Sequence, residues 1–268
     1  MRYASENDRA SELVLQVVSV QRIAHGTTSI WLRPGDEGRR IRATPGQFAH
    51  IAVEGVLLRR PISIADYDGE AIRIIVREAG RGTRKLSALR PRETVNALVP
   101  LGRSFPMAKA EERLASGKEL WFVAGGIGLA PLLFCASSLR KSTRAANAVK
   151  SFVGFRDGTR VFGLDELAAC GEVNLVVGGL VTEELEAALS KSKPAMIFSC
   201  GPAPMLRSLQ EICRRFDVRA YASLEERMGC GIGACLVCSC KVGTGGGFDY
   251  KRVCRDGPVF DLSEVILP

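Results

Sequence analysis

Short apolar runs broken by turn residues dominate the first 105 positions of the chain. Residues 13–20 form a branched apolar run, and residues 28–32 form a second that stops at Pro34-Gly35. Residues 47–53 alternate up to Glu54-Gly55; residues 72–76 follow the Asp68-Gly69 turn; residues 94–99 stop at Pro100. Runs of this length, with turn signals at this spacing, predict the strands of a sandwich or barrel. Arg59-Arg60-Pro61-Ile62-Ser63-Ile64 reads as a half-apolar strand, and residues 83–89 as one short helix.

Near residue 115 the pattern changes. Residues 119–124 read as a buried-type strand, apolar from Leu120 to Ala124, followed by Gly125-Gly126-Ile127-Gly128 and a helical pattern over 129–140. Pro131 falls near the first turn of that helix, where proline is tolerated. Strands are predicted at 149–155, 174–177 and 195–200, and helices at 182–189 and 204–216. Strands alternating with helices imply a parallel α/β sheet. The last segment, 223–268, has only 46 residues. A segment this small rarely supports its own core and usually needs a staple such as a metal. Gly243-Thr244-Gly245-Gly246-Gly247 reads as a flexible loop within it. The predicted architecture is therefore a multidomain β plus α/β chain: a β-barrel over 1–110, an α/β domain over 111–222 and a small C-terminal domain over 223–268.

Composition narrows the function classes. The 268 residues include 46% hydrophobic and 25% charged positions, close to the globular average, which excludes general disorder. No apolar run reaches the roughly 18–20 residues of a membrane span. Residues 1–13 are polar and mixed in charge, unlike a secretory signal. Lys and Arg number 37 against 29 Asp and Glu, a net charge of +8. A nucleic-acid-binding module is the reading this charge raises. Aromatics are only 6%, no long basic run exists, and base-reading motifs are absent. The charge reads better as a surface for anionic ligands and a partner.

The nine cysteines say more. Five of them, Cys230, Cys235, Cys238, Cys240 and Cys254, fall in the 25 residues from 230 to 254. A long chain without a secretory signal uses clustered thiols for metal or redox work, in a reducing, cytoplasmic compartment. Cys230-x4-Cys235-x2-Cys238, followed after fifteen residues by Cys254, is the plant-type 2Fe–2S ligand spacing. Each of two tetrahedral irons then takes two protein sulfurs. Gly229, Gly231, Gly233 and Ala234 allow backbone N–H groups to approach those sulfurs. The alternative is a structural zinc site, which usually takes two knuckles, whereas Cys254 stands alone. Cys240 is left as a spare thiol. Cys135, Cys170 and Cys213 lie in helical patterns and read as small buried apolar groups, and Cys200 as a strand-end residue.

Two further motifs suit phosphate. The Gly125-Gly126-Ile127-Gly128 turn between strand and helix can admit a pyrophosphate, although it lacks the full G-x-G-x-x-G and the acidic residue about 20 positions on. Taken alone, it fits a tight turn without a ligand equally well. Arg77-Glu78-Ala79-Gly80-Arg81-Gly82-Thr83 is a second glycine-rich entry into a helix. His25 and His50 are the only histidines, which leaves little material for a histidine-based triad.

Taken together, Arg60-Pro61-Ile62-Ser63, Gly125-Gly126-Ile127-Gly128-Leu129-Ala130-Pro131, Cys200-Gly201-Pro202 and the C-terminal cysteines resemble a ferredoxin–NADP reductase-type flavoprotein. The stretches from Glu226 to Cys235 and from Lys251 to Phe260 narrow this resemblance to the electron-transfer subunits of NAD-dependent dihydroorotate dehydrogenases. The resemblance implies an FAD-binding barrel, a Rossmann-like NAD domain and a 2Fe–2S domain. Arg60, Pro61, Ile62 and Ser63 would meet the FAD pyrophosphate and flavin. Ile75, Val76 and Arg77 would line it through their backbone, and Gly82 and Thr83 would hold its phosphates. Gly125, Gly126, Gly128 and Cys200 would frame the nicotinamide of NAD(H). Cys230, Cys235, Cys238 and Cys254 would hold the cluster.

The implied partner is an FMN-containing dehydrogenase subunit in a complex of two plus two, oxidising dihydroorotate in pyrimidine biosynthesis. No residue of this chain need act as acid or base. Similar subunits also serve NADH-dependent ferredoxin:NADP oxidoreductase and sulfhydrogenase complexes. One departure stands out: Val177-Gly178-Gly179-Leu180-Val181-Thr182 replaces the longer Thr-Asp-Asp-Gly-Ser-like loop of the family, and Val99-Pro100-Leu101-Gly102 is a milder variant of Gly-Pro-Leu-Gly.

Overall fold

A computed structural model describes residues 11–36, 38–142 and 148–268; most of the polar 1–13 segment lies outside them. Six antiparallel strands, β1 (Ser11–Ala24), β2 (Thr27–Pro34), β3 (Phe48–Ile51), β4 (Arg60–Tyr67), β5 (Ile72–Arg77) and β6 (Thr94–Leu101), close a barrel in the order β1-β2-β5-β4-β3-β6. Helix α1 (Arg81–Ser87) connects β5 to β6. Alternation decides which side chains enter: Leu13, Leu15 and Val17 of β1 are buried, whereas Val14 and Val18 face out. Each aliphatic side chain buried here contributes roughly 1.5–3 kcal/mol, so a one-residue slip would cost the whole inner set.

The second unit comprises α2 (Met107–Ala115), β7 (Leu120–Gly125), α3 (Leu129–Ser142), β8 (Val149–Phe155), α4 (Leu164–Ala168), β9 (Gly171–Val177), α5 (Val181–Leu189), β10 (Met196–Cys200), α6 (Ala203–Phe216) and β11 (Ala220–Ser223). Its strands lie parallel in the order β11-β10-β7-β8-β9. The chain progresses outward from β7 in both directions, so the strand order reverses between β7 and β10. Ligands of open α/β sheets bind in the crevice at such a point, beyond the carboxyl ends of the strands.

Barrel and sheet pack through the outer faces of β4 and β5. Ala65 and Ile75 belong to the same apolar core as Leu129, Ala130 and Leu133 of α3, and Phe134 of α3 joins the barrel core. Polar contacts reinforce the seam: Ser137 donates to Asp66 at 2.8 Å, and Arg73 grips both oxygens of Glu166 at 2.5 and 3.1 Å.

The tail adds β12 (Ser239–Thr244), β13 (Gly247–Arg252), β14 (Val259–Asp261) and β15 (Val265–Ile266). Strand β14 pairs antiparallel with β11, so the tail supplies the edge strand of the α/β sheet. Met228, Val253, Leu262 and Val265 share one core with Trp121, Leu206 and Leu209. Apolar burial against the neighbouring domain thus supplies part of the support that the segment's small size alone assigned to a metal. The glycine-rich stretch also differs from expectation. Thr244 pairs with Gly247 across Gly245-Gly246, making a tight β12–β13 hairpin rather than a flexible loop. Cys170 follows α4 rather than lying in a helix, and its buried thiol donates to the Ala136 carbonyl at 3.2 Å.

Candidate functional site

Strand alternation aims Pro61, Ser63 and Ala65 of β4, and Arg73, Ile75 and Arg77 of β5, toward the α/β domain. Ile75 and Val76 are buried, Ser63 is half-buried, and Arg77 is exposed. Opposite them lie the carboxyl ends of β7 and β10. A Cβ on Gly126, at φ +55°, would stand 3.5 Å from Arg77 Nη1, so the arginine reaches the glycine turn. Gly128 has no room for a side chain: a Cβ there would overlap the Cys200 carbonyl oxygen. The turn is glycine because two strand ends meet.

The cleft between barrel and sheet gathers more chemistry than the sequence motifs named. Cys200 is buried and faces Ser223; burial, with Glu225 nearby, pushes its thiol well above the ordinary range. Glu225 keeps contact with water, yet the packing around it raises its carboxyl against the pull of the Arg77 charge. Sequence reading missed Glu225 and Ser223, because neither sits in a spacing motif and only β11 brings them beside Cys200. Gly128→Ala is expected to force β7 and β10 apart, at about 1–3 kcal/mol of stability. Thermal melting should show the loss, and NADH titration a weakened nucleotide site.

The entry to α1 forms the second half of the cleft. Gly82 is buried, and a Cβ on it would lie 2.6 Å from Arg60 Nε, so the guanidinium rests on the helix. Arg60 Nη1 donates to the Leu58 carbonyl at 2.8 Å, which fixes the group while leaving other N–H donors open. Thr83 Oγ1 accepts from Ala79 N and Gly80 N at 2.8 and 3.0 Å and donates to the Gly80 carbonyl at 3.1 Å. The Thr83 hydroxyl is therefore spent on the cap, and the first-turn N–H groups are what α1 can offer. No acidic residue occupies that turn. An oriented cation, open backbone donors and no carboxylate suit a pyrophosphate such as that of FAD.

The four expected cluster cysteines come together as two pairs. Cys230 Sγ accepts from Ala234 N and Cys235 N at 3.3 and 3.4 Å, and Cys235 Sγ accepts from Cys230 N at 3.4 Å. Cys238 Sγ accepts from Cys254 N at 3.4 Å, and both residues are buried. Burial alone would raise the Cys230 thiol. The N–H groups of Ile232, Cys235 and Ala234, with the Cys235 thiol, outweigh it and bring it down to about 6. Burial and the neighbouring Cys238 push Cys254 up to about 12. Two soft thiol pairs, one of them desolvated, with amides aimed at sulfur, fit a cationic iron–sulfur core. Arg252 braces the site, donating to Asp256 at 2.9 Å and to the Gly233 carbonyl at 3.3 Å. Cys240, on β12, belongs to neither pair; burial pushes its thiol up to about 11.

Comparison with known proteins agrees with this geometry. Residues 225–266 match the family model of the iron–sulfur cluster binding domain of dihydroorotate dehydrogenase B. A dihydroorotate dehydrogenase B (NAD(+)) electron transfer subunit from Bacillus caldolyticus is 40% identical, over 94% of this chain and 98% of its own. Another, from Geobacillus thermodenitrificans (strain NG80-2), is 43% identical over 83% and 87%. The chain belongs to the dihydroorotate dehydrogenase B electron transfer subunit family. Among solved structures, the NADH-dependent reduced ferredoxin-NADP oxidoreductase matches with a TM-score of 0.77 at 24% identity, over 94% of this chain and 90% of that one. At that identity it supports the fold of a dihydroorotate dehydrogenase B electron transfer subunit.

Proposed function

We propose that this chain relays electrons between an FMN-holding dihydroorotate dehydrogenase subunit and NAD, through a 2Fe–2S cluster and FAD. The observation that carries the reading is the contact between the two cofactor sites. The loop of Cys230 and Gly231 rests on β3, and β3 pairs with β4, which bears Arg60, Pro61, Ile62 and Ser63. When bound, FAD supplies the exchange between electron pairs of a nicotinamide and single electrons of the cluster.

The roles of the residues follow from their places. Arg60, with the backbone N–H groups of Gly82 and Thr83, neutralises the FAD phosphates. Ser63 would face the flavin from β4, and the backbone of Ile75, Val76 and Arg77 would line its side. Gly125, Gly126, Gly128 and Cys200 would frame the nicotinamide of a bound NAD(H) at the carboxyl ends of β7 and β10. Cys230, Cys235, Cys238 and Cys254 would ligate the cluster, Cys238 and Cys254 from buried positions. The units 1–110, 111–222 and 223–268 then divide the work by cofactor. The partner assembly is two plus two, and the compartment is cytoplasmic, where nine cysteines outside any disulfide persist.

Anaerobic titration with NADH and NADPH tests the relay. NADH should bleach the flavin and then reduce the cluster. No response to either nucleotide would sink the reading. The second reading, another partner complex, draws on the short connection of Gly178, Gly179 and Leu180 between β9 and α5. Isolation of the native complex separates the two: dihydroorotate-dependent NAD reduction with bound FMN supports the first, and a ferredoxin oxidoreductase or hydrogenase subunit supports the second.

A further inference from the structure

His50 lies on β3 with its side chain fully buried, and neither Nδ1 nor Nε2 has a hydrogen-bond partner. Leaving such a donor unmade costs more than filling the same volume with an apolar side chain. An orphaned buried polar group therefore calls for a reason. Its surroundings supply one. Gly231, at φ +76°, sits so close that a Cβ on it would overlap His50 Nδ1. The imidazole is thus the barrel surface on which the Cys230-Gly231 loop is seated. Burial, helped by the charges of Arg59 and Arg60, keeps the ring neutral, while the Cys230 and Arg59 backbone groups pull the other way. A neutral imidazole holds one N–H donor and one acceptor, both enclosed beside the first ligand of the cluster.

The same residue touches the flavin side through the backbone. His50 pairs with Pro61, and Phe48 of the same strand pairs with Ser63. The His50 carbonyl accepts from Arg59 Nη1 at 3.4 Å. A shift of the ring would move the loop of Cys230 relative to the strand that carries Arg60 and Ser63.

We propose that His50 is a positioning residue of the cluster site: it seats the Cys230 loop on the barrel and reserves a ring donor for that loop, which sets the cluster's reduction potential against that of the flavin. The proposal rests on Cys230, Cys235, Cys238 and Cys254 being the ligands of a 2Fe–2S cluster. Groups behind metal ligands typically tune affinity and potential in this way. A donor near the thiolates stabilises the more negative, reduced cluster; its loss lowers the potential.

The test compares the holoprotein with His50→Leu and His50→Gln, purified anaerobically, with flavin absorbance as the fold control. Iron and sulfide per flavin, the electron paramagnetic resonance signal of the reduced cluster and a redox titration are read for each. His50→Leu is expected to shift the resonance signal and lower the equilibrium constant for electron transfer from flavin to cluster at least about fivefold, or to lose the cluster. His50→Gln, which returns a donor, should recover most of both. Leucine indistinguishable from the parent overturns the proposal, and so do leucine and glutamine equally impaired, because volume alone would then matter. If His50→Leu does not fold, His50→Met serves the same comparison. A parent protein without iron or sulfide would instead sink the cluster reading itself.

Discussion

Cys238→Ser is expected to give a chain that keeps its flavin and holds no iron. Cys238 is 2% exposed, and its sulfur already receives the Cys254 amide, so the position is committed to an anionic, soft ligand. A serine hydroxyl is a poor substitute for a thiolate toward iron. Residues that only stand behind a ligand are worth about 10–100-fold in metal affinity, so loss of a ligand itself should exceed about 100-fold. Iron and acid-labile sulfide should fall to background, and dihydroorotate-dependent NAD reduction by the assembled complex should fall with them. Cys240→Ser provides the control, because Cys240 takes no part in either thiol pair. A Cys238→Ser protein with full iron content would overturn the ligand assignment.

Arg60→Ala should release FAD while leaving the cluster in place. Arg60 is the cation resting on Gly82, and its guanidinium offers a planar pair of donors to phosphate. A hydrogen bond to a charged group contributes about 1.5–3 kcal/mol, which corresponds to roughly 10–150-fold in affinity. Fluorescence titration of the flavin-stripped protein would measure it. Arg60→Lys should recover only part, since lysine keeps the charge without the fork. An unchanged FAD affinity in the alanine variant would place the pyrophosphate elsewhere.

Much of the fold and of the candidate site is legible in the amino-acid order, for identifiable reasons. Strands such as β1 and β7 stand out because branched apolar runs end at turn residues, and α6 because its apolar positions recur at helical spacing. The candidate ligand set suggests itself because four thiols near one metal core must recur at a few short spacings. What stays hidden depends on contact rather than local pattern. Helix α2 buries only Ala110 and Leu114, too few for a clear period. Strand β11 has four residues, and β14 has three and is recruited from the far end of the chain. Glu225 and His50 carry no motif at all. Their surroundings come from β5, β10 and the Cys230 loop, which only tertiary packing assembles.

The pairing of β11 with β14 has a consequence for how electrons travel. Ser223 and Val259 are direct partners in the sheet. Residues 224–258, which carry all four proposed ligands, therefore leave and re-enter the α/β domain at one point. The cluster is borne on a loop stitched shut at its base, not on a module swinging from a linker. That site is thus held to the sheet at the β11–β14 pair and to the barrel where Gly231 meets His50. With its base anchored at both places, a cluster bound there would exchange electrons with a flavin on the barrel without any domain having to reorient.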